Sequence, residues 1–210
     1  MTKNIYIFDI CDTLYDSNTT LDFVYYIQVN IFSKLILKMV RSLPSKIINK
    51  LTIFLFDFDY IRPVYINFLK GFSKDSLSHK ANLFVQQYLY DKKNNTVFSE
   101  LNSLPKDNIY LVSATLDPVA AAIAKSLGVK FISSQLSFDS NGLCLGCLYL
   151  DLLGDKSRFF EDKKVNLVVT DNKSDLKLCE MADSVIAVSK KSNISFWQNA
   201  NINLLKIIPI

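Results

Sequence analysis

At 210 residues the chain is long enough to bury a full core and to hold one domain, or one domain carrying an insert. Half of it is hydrophobic and only 21% is charged, yet the apolar runs Phe23 to Ser33 and Leu51 to Phe56, the latter stopped by Asp57, fall short of the ~20 residues that a membrane span needs. The net charge of +4 comes with no dense Lys/Arg run and no aromatic-and-basic stacking motif, which argues against nucleic acid as a partner. No signal-peptide pattern opens the chain, and Cys11, Cys144, Cys147 and Cys179 are too scattered for a disulfide scaffold. An intracellular, cytoplasmic protein with reduced thiols is the expectation.

The first element is the apolar run Asn4-Ile5-Tyr6-Ile7-Phe8, which predicts a buried parallel strand and ends abruptly in Asp9, Cys11, Asp12 and Thr13. In open α/β sheets the ligand sits beyond the carboxyl ends of the strands, so Asp9 is offered to a crevice on a rigid element. The polar cluster Asp16 to Thr20 predicts a turn and a helix cap, and from Leu21 to about Leu104 the spacing is helical, without strand alternation. Ser42-Leu43-Pro44-Ser45 and Arg62-Pro63 break the pattern, and Gly71 to Asp75 precedes the helix that carries the single histidine, His79. His79 has no evident partner and reads as a surface residue.

Within this helical stretch Lys34, Lys38 and Arg41 form a stripe on one face, Lys46 and Lys50 continue it, and no acid occurs between Val29 and Phe56. Two readings stay open. The lysines are solvated on a helix whose apolar face packs inward, or the segment is a basic amphipathic hairpin that meets an anionic membrane surface or an anionic substrate.

Strand character resumes at Asn108 to Val112, ending in Ser113-Ala114-Thr115, and a helix follows from about Pro118 to Leu127, closed by Gly128. Val129 to Ile132 is the next strand, and Asp139-Ser140-Asn141-Gly142 is a hairpin turn. Cys144-Leu-Gly-Cys147 has redox or zinc spacing, but two more ligands are lacking and it reads as two small hydrophobes in a strand. Lys156 follows Gly154 and opens a predicted helix. Val165 to Thr170 is a strand ending in two acids, Asp171 and Asp175; a helix from Leu176 to Met181 and a strand from Ser184 to Val188 follow. The segment beyond Lys190, with Trp197 and the apolar Leu204 to Ile210, carries no assignable pattern.

Taken in order, these strand ends resemble the four motifs of the haloacid dehalogenase (HAD) superfamily, and the run Phe68 to Ser73 before a helix resembles the subfamily that contains phosphoserine phosphatase. The resemblance implies an α/β fold with a Rossmann-like parallel sheet of about five strands. It places the core in residues 1–16 and 105–210 and a helical C1 cap in 17–104, after the first strand. It makes Asp9 the nucleophile, with Thr13, Ser113 and Lys156 matching the other motif positions. Asp12, Thr13, Ser113, Ala114 and Lys156 would hold the phosphate, with Thr170 standing where the fourth motif has glycine. Carboxylates at adjacent strand ends suit a hard octahedral cation, so Mg²⁺ is expected at Asp9, Asp171, Asp175 and the backbone carbonyl of Cys11.

Cys11 stands where the family has its acid-base Asp. A thiol with a reference pKa of ~8.5 is a poor proton donor to a leaving oxygen. The leading reading is a Mg²⁺-dependent phosphohydrolase of low activity, or a phosphotransferase with a long-lived phosphoenzyme, acting on a small phosphorylated metabolite or lipid head group. A catalytically weak phosphate-binding or regulatory protein is the second, and a cysteine enzyme using Cys11 as nucleophile the third. The oligomeric state is not legible.

Overall fold

The computed structural model describes residues 4–56 and 59–210, so Asp57, read above as the end of an apolar run, lies outside the described residues. At the centre lies β1 (Tyr6–Phe8), paired in parallel with β2 (Ile109–Leu116) on one side and β5 (Leu167–Thr170) on the other. With β3 (Lys130–Phe138), β4 (Cys144–Leu150), β6 (Val185–Ser189) and β7 (Leu204–Pro209), the seven-stranded order is β4-β3-β2-β1-β5-β6-β7. All pairs are parallel except β3–β4.

Alternation along the strands builds two cores, because successive side chains leave opposite faces of a sheet and both faces are covered. Phe8, Leu111, Val169 and Ile186 enter one apolar cluster, and Ile7, Val112, Val168 and Val185 enter the other. The second cluster is closed by Trp197 from α9 (Ile194–Asn199) and by Leu178 and Cys179 from α8 (Leu176–Glu180). The C-terminal segment that lacked a readable pattern is therefore β7, an edge strand, with a buried tryptophan before it. The sheet exceeds the expected five strands by β7 and by β4, which the hairpin turn folds back onto one continuous β3.

Between β1 and β2 the described residues form helices joined by loops. These are α1 (Thr19–Ile27), α2 (Ile31–Val40), α3 (Leu43–Phe56), α4 (Ile61–Asn67), α5 (Lys74–Leu83), continued by a π turn over Phe84–Tyr88, and α6 (Asn95–Asn102). Asn18, Asn30, Ser73 and Asn94 cap α1, α2, α5 and α6 by accepting from backbone N–H groups of the first turn, the role short polar side chains play there. Arg62-Pro63 was expected to break a helix. It lies instead in the first turn of α4, where proline costs nothing because that N–H has no intrahelical partner. Phe23, Leu77 and Phe84 join the same cluster as Leu111 and as Val119 and Ile123 of α7 (Asp117–Leu127), so helices and sheet share one core. His79 is exposed on α5.

Cys144 is buried and Cys147 exposed on β4, and all four cysteines are free thiols. Between the two, Gly146 has φ 76°, and a Cβ there would lie 3.1 Å from the Asn67 backbone and 3.1 Å from Cβ of Lys70. This is where α4 rests on the sheet edge. Gly146→Ala should destabilise the protein by about 1–3 kcal/mol, the cost of a strained left-handed residue plus a forced shift of α4, read as a lower denaturation midpoint with an unchanged slope.

Candidate active site

The carboxyl ends of β1, β2 and β5 meet at one cavity of about 320 Å³. Asp9 follows β1 directly, and its N–H donates to the Val169 carbonyl of β5 at 2.9 Å, which fixes it at the carboxyl end of the central strand. One carboxylate oxygen accepts from the N–H of Ile10 at 2.7 Å and the other lies 2.9 Å from Nζ of Lys156. Lys156 also donates to Oδ2 of Asp175 at 2.7 Å. Burial acts to lower the lysine pKa, but the charges of Asp9 and Asp175 outweigh it and push it up, so the ammonium is permanently charged. Lys156 was expected to open an α-helix; a single 3₁₀ turn, Ser157–Phe159, follows it instead.

Thr170, in the place of a glycine, ends β5 in ordinary strand backbone. Its hydroxyl donates to Asp175 at 2.7 Å and accepts from the N–H of Asn172 at 3.1 Å. Thr13 serves Asp171 in the same manner, donating to its carboxylate at 3.0 Å and accepting from its N–H at 2.9 Å. Thr13 and Asp175 are thus second in line, buried behind Asp171 and Lys156 rather than lining the cavity. Asp12 takes a left-handed conformation, φ 50°, and is the one described non-glycine residue that does. It turns the chain sharply after Cys11 and lines the cavity.

Cys11 sits in a cluster of hydroxyls. Its Sγ is 2.9 Å from Oγ1 of Thr19 and 3.4 Å from Oγ1 of Thr115, and Thr115 in turn is 2.7 Å from Thr19 and 2.9 Å from Oγ of Ser113. Burial and then the charge of Asp9 push the Cys11 thiol up, while the hydroxyls oppose this only in part. The thiol is therefore protonated near neutral pH, which disfavours Cys11 as a nucleophile; His79, the base that role would call on, does not line the cavity.

Of the residues singled out in the sequence, Asp9, Cys11, Asp12, Ser113, Ala114, Lys156 and Asp171 line this one cavity. The sequence reading missed the contributions of the helical stretch: Asn18, Thr20, Asn49, Asp59 and above all Arg62. Arg62 of α4 pairs with Asp151 and donates to the Ala114 carbonyl at 2.7 Å and to Ser134 at 3.1 Å. The carbonyl of Ala114 is thereby occupied. No local pattern marks Arg62, since only the packing of α4 on the sheet brings it to the strand ends.

Of the residues expected around a cation, Asp9, Cys11 and Asp171 line the cavity, and Asp175 is buried against Lys156. Asp9, Asp12, Asp59 and Asp171 all line the cavity, and among the carboxylates Asp9 acts most strongly on Asp171. Burial, and then the charge of Asp9, raise the Asp171 pKa to about 7. Two hard oxygen donors crowded until one holds its proton to neutrality fit a divalent cation, which would relieve that repulsion.

Because the folded state holds the Asp171 proton up to about 7 and the unfolded chain only to ~4, metal-free protein should lose stability as pH rises through that window. Asp171→Asn, which keeps an acceptor for Thr13, should stabilise metal-free protein by an amount that grows from pH ~4 to ~7 and then levels off. Thermal melts of both proteins across this range in chelator check it, and a gain independent of pH would contradict the assigned repulsion.

No family model and no curated protein matches the sequence. Solved structures do. A protein of unknown function from Bordetella pertussis Tohama I aligns over 99% of both chains with a TM-score of 0.72 at 14% identity. A cytosolic 5'-nucleotidase IIIB bound to cytidine aligns over 97% of this chain and 80% of its own, TM-score 0.61 at 12% identity. A phospho-aspartyl intermediate analogue of phosphoserine phosphatase aligns over 99% and 93%, TM-score 0.57 at 15% identity. With its parallel sheet, its helices between β1 and β2, and these neighbours, the chain has the fold of the haloacid dehalogenase superfamily, in its phosphoserine-phosphatase-like form.

Proposed function

We propose that the protein is a Mg²⁺-dependent phosphohydrolase in which Asp9 attacks phosphorus and becomes an aspartyl-phosphate that water then hydrolyses. The observation that carries this reading is the Asp9 carboxylate, fixed by the N–H of Ile10 and by the Lys156 ammonium in the wall of the cavity. A positioned carboxylate beside a permanent cation is suited to attack an anionic phosphoryl group, because the cation offsets the repulsion between the two. Ser113, the N–H of Ala114 and the N–H groups of the loop after Asp9 would hold the equatorial oxygens. Asp9, Asp171 and the Cys11 carbonyl would hold Mg²⁺, with Asp175 keeping Lys156 in place. When bound, Mg²⁺ supplies positive charge to the phosphoryl oxygens and to the crowded carboxylates. That three of the structural neighbours are described as phosphoserine phosphatases supports the reaction class. The substrate would be a small phosphorylated molecule, its leaving group lying toward Arg62, Asn49 and Asp59.

Cys11 shapes the kinetics of this reading. A half-buried thiol whose pKa is raised is a poor proton donor to a departing alkoxide and, being protonated, does not later activate water. Turnover should therefore favour leaving groups that depart as stable anions, namely aryl phosphates, acyl phosphates and phosphoanhydrides, and the phosphoenzyme should persist.

Asp9→Asn keeps shape and should abolish turnover of an aryl phosphate in a folded protein; undiminished turnover would falsify the assignment of the nucleophile. Activity should disappear in EDTA and return with excess Mg²⁺. In Cys11→Asp the new carboxyl would stand beside the hydroxyls of Thr19 and Thr115. Its pKa would be raised by the burial and the neighbouring Asp9 that raise that of the thiol, so alkyl-phosphate hydrolysis should increase by about ten- to a thousandfold. Cys11→Ala should change little.

A further inference from the structure

Helices α2 and α3 are inside out. On α3 the residues nearest the body of the protein are polar: Asn49 is buried and accepts from the N–H of Tyr60 at 2.9 Å, and Ser45 meets the hydroxyl of Tyr60 at 2.7 Å. The residues turned to solvent are apolar, with Leu43 76%, Ile47 60% and Phe54 85% exposed. On α2 Leu37 is the single buried residue, while Ile31, Phe32 and Met39 are 76%, 72% and 64% exposed. More than half of all the exposed large hydrophobic side chains among the described residues fall within residues 29–55. A patch of this kind on a soluble domain marks something that covers it.

Its charge says what does. No acid occurs between Val29 and Phe56, whereas Lys34, Lys38, Arg41, Lys46 and Lys50 are spread through the apolar surface. Arg41 is committed to the fold through buried Asp22, and Lys34 lies over the ring of Tyr25 at 5.6 Å. Lys38, Lys46 and Lys50 are exposed. We propose that the α2–α3 hairpin docks on an anionic lipid bilayer, lying in the headgroup layer with its apolar side chains inserted and these lysines on lipid phosphates. An apolar face with interspersed lysines is the composition of an interfacial helix. At 10 and 14 residues the two helices are about 15 and 21 Å long, too short to cross a hydrocarbon core of ~30 Å, and no described helix is long and apolar enough to do so. A second copy of the chain is a poor occupant, because a two-fold contact through this face would set exposed Lys38, Lys46 and Lys50 against the same three lysines, with no acid in residues 29–56 to pair with them. The docking does not depend on what the cavity turns over.

The test uses the full chain and sedimentation with phosphatidylcholine vesicles, either alone or mixed with phosphatidylglycerol. Binding should require the anionic lipid, fall as salt is raised, and weaken on the order of a hundredfold in Lys38→Gln/Lys46→Gln/Lys50→Gln, at about fivefold per lysine. Phe54→Trp should show a blue-shifted emission increment with the anionic vesicles only, an independent reading of insertion. The thermal transition followed through buried Trp197 should match the parent in the lysine variant, which separates lost docking from lost folding. Equal binding to both vesicle types, binding to neither, or a stable dimer that Phe54→Trp disrupts would each overturn the proposal.

Discussion

The structure of the site depends on one buried ammonium. Lys156 is 2% exposed and lies between two carboxylates, 2.9 Å from Asp9 and 2.7 Å from Asp175. Taking these charges out of water is expensive, and the arrangement is tolerable only while both partners stay in place; removal of one partner from such a group typically costs about 3–5 kcal/mol. That constraint ties together parts of the chain distant in sequence. β1 must deliver Asp9, the segment after β4 must deliver Lys156, and Thr170 at the end of β5 must hold Asp175 by its hydroxyl. The parallel pairing of β1 with β5 sets the first and third of these side by side, and the cavity opens where they meet.

Next to this charged centre the chain places a nearly neutral one. Cys11, Thr19, Thr115 and Ser113 form a run of thiol and hydroxyl contacts between 2.7 and 3.4 Å. Each member can donate and accept, so the run is satisfied without any net charge. Its effect on Cys11 is to leave the thiol protonated: burial and Asp9 disfavour the thiolate, and hydroxyl donors recover only part of that. The same burial beside Asp9 is what a carboxylic acid would need in order to keep its proton near neutrality. The site thus retains surroundings suited to a proton donor around a residue that makes a poor one.

Local chemistry carried most of what was legible in the sequence. Apolar runs ending in Asp9, Ser113 and Asp171 announce buried strands with polar tips, and Gly128, in a left-handed conformation at φ 69°, ends α7 as its position predicts. Lys156 was found by its order among the motifs, although its surroundings are a 3₁₀ turn rather than the predicted helix. Arg62 and Asn49 were illegible because they reach the cavity only through the docking of α3 and α4, and Arg62-Pro63 looked like punctuation. β7 escaped notice for a related reason: its burial pattern is irregular, with Ile208 buried and Leu205 exposed, as befits an edge strand that packs on one face.

The high apolar content, which first raised the question of a membrane span, divides in two. One part fills the two cores on either side of the sheet, where Phe8, Phe23, Ile123 and Trp197 have no exposure at all. Most of the other part lies outside, on α2 and α3, whose contribution to those cores is Leu37, with Val40 packed against it. Folding alone does not require it there, since an exposed phenylalanine adds nothing to a core and invites association. The join between the two parts is α3, whose Asn49 reaches the cavity while Ile48 and Leu51 on either side of it face outward. A partner on the outer face of α3 would therefore act on the same helix that walls the cavity. A partner bound there is positioned to alter the reach of Asn49, and of the α4 terminus that Asn49 caps, without touching the strand ends themselves.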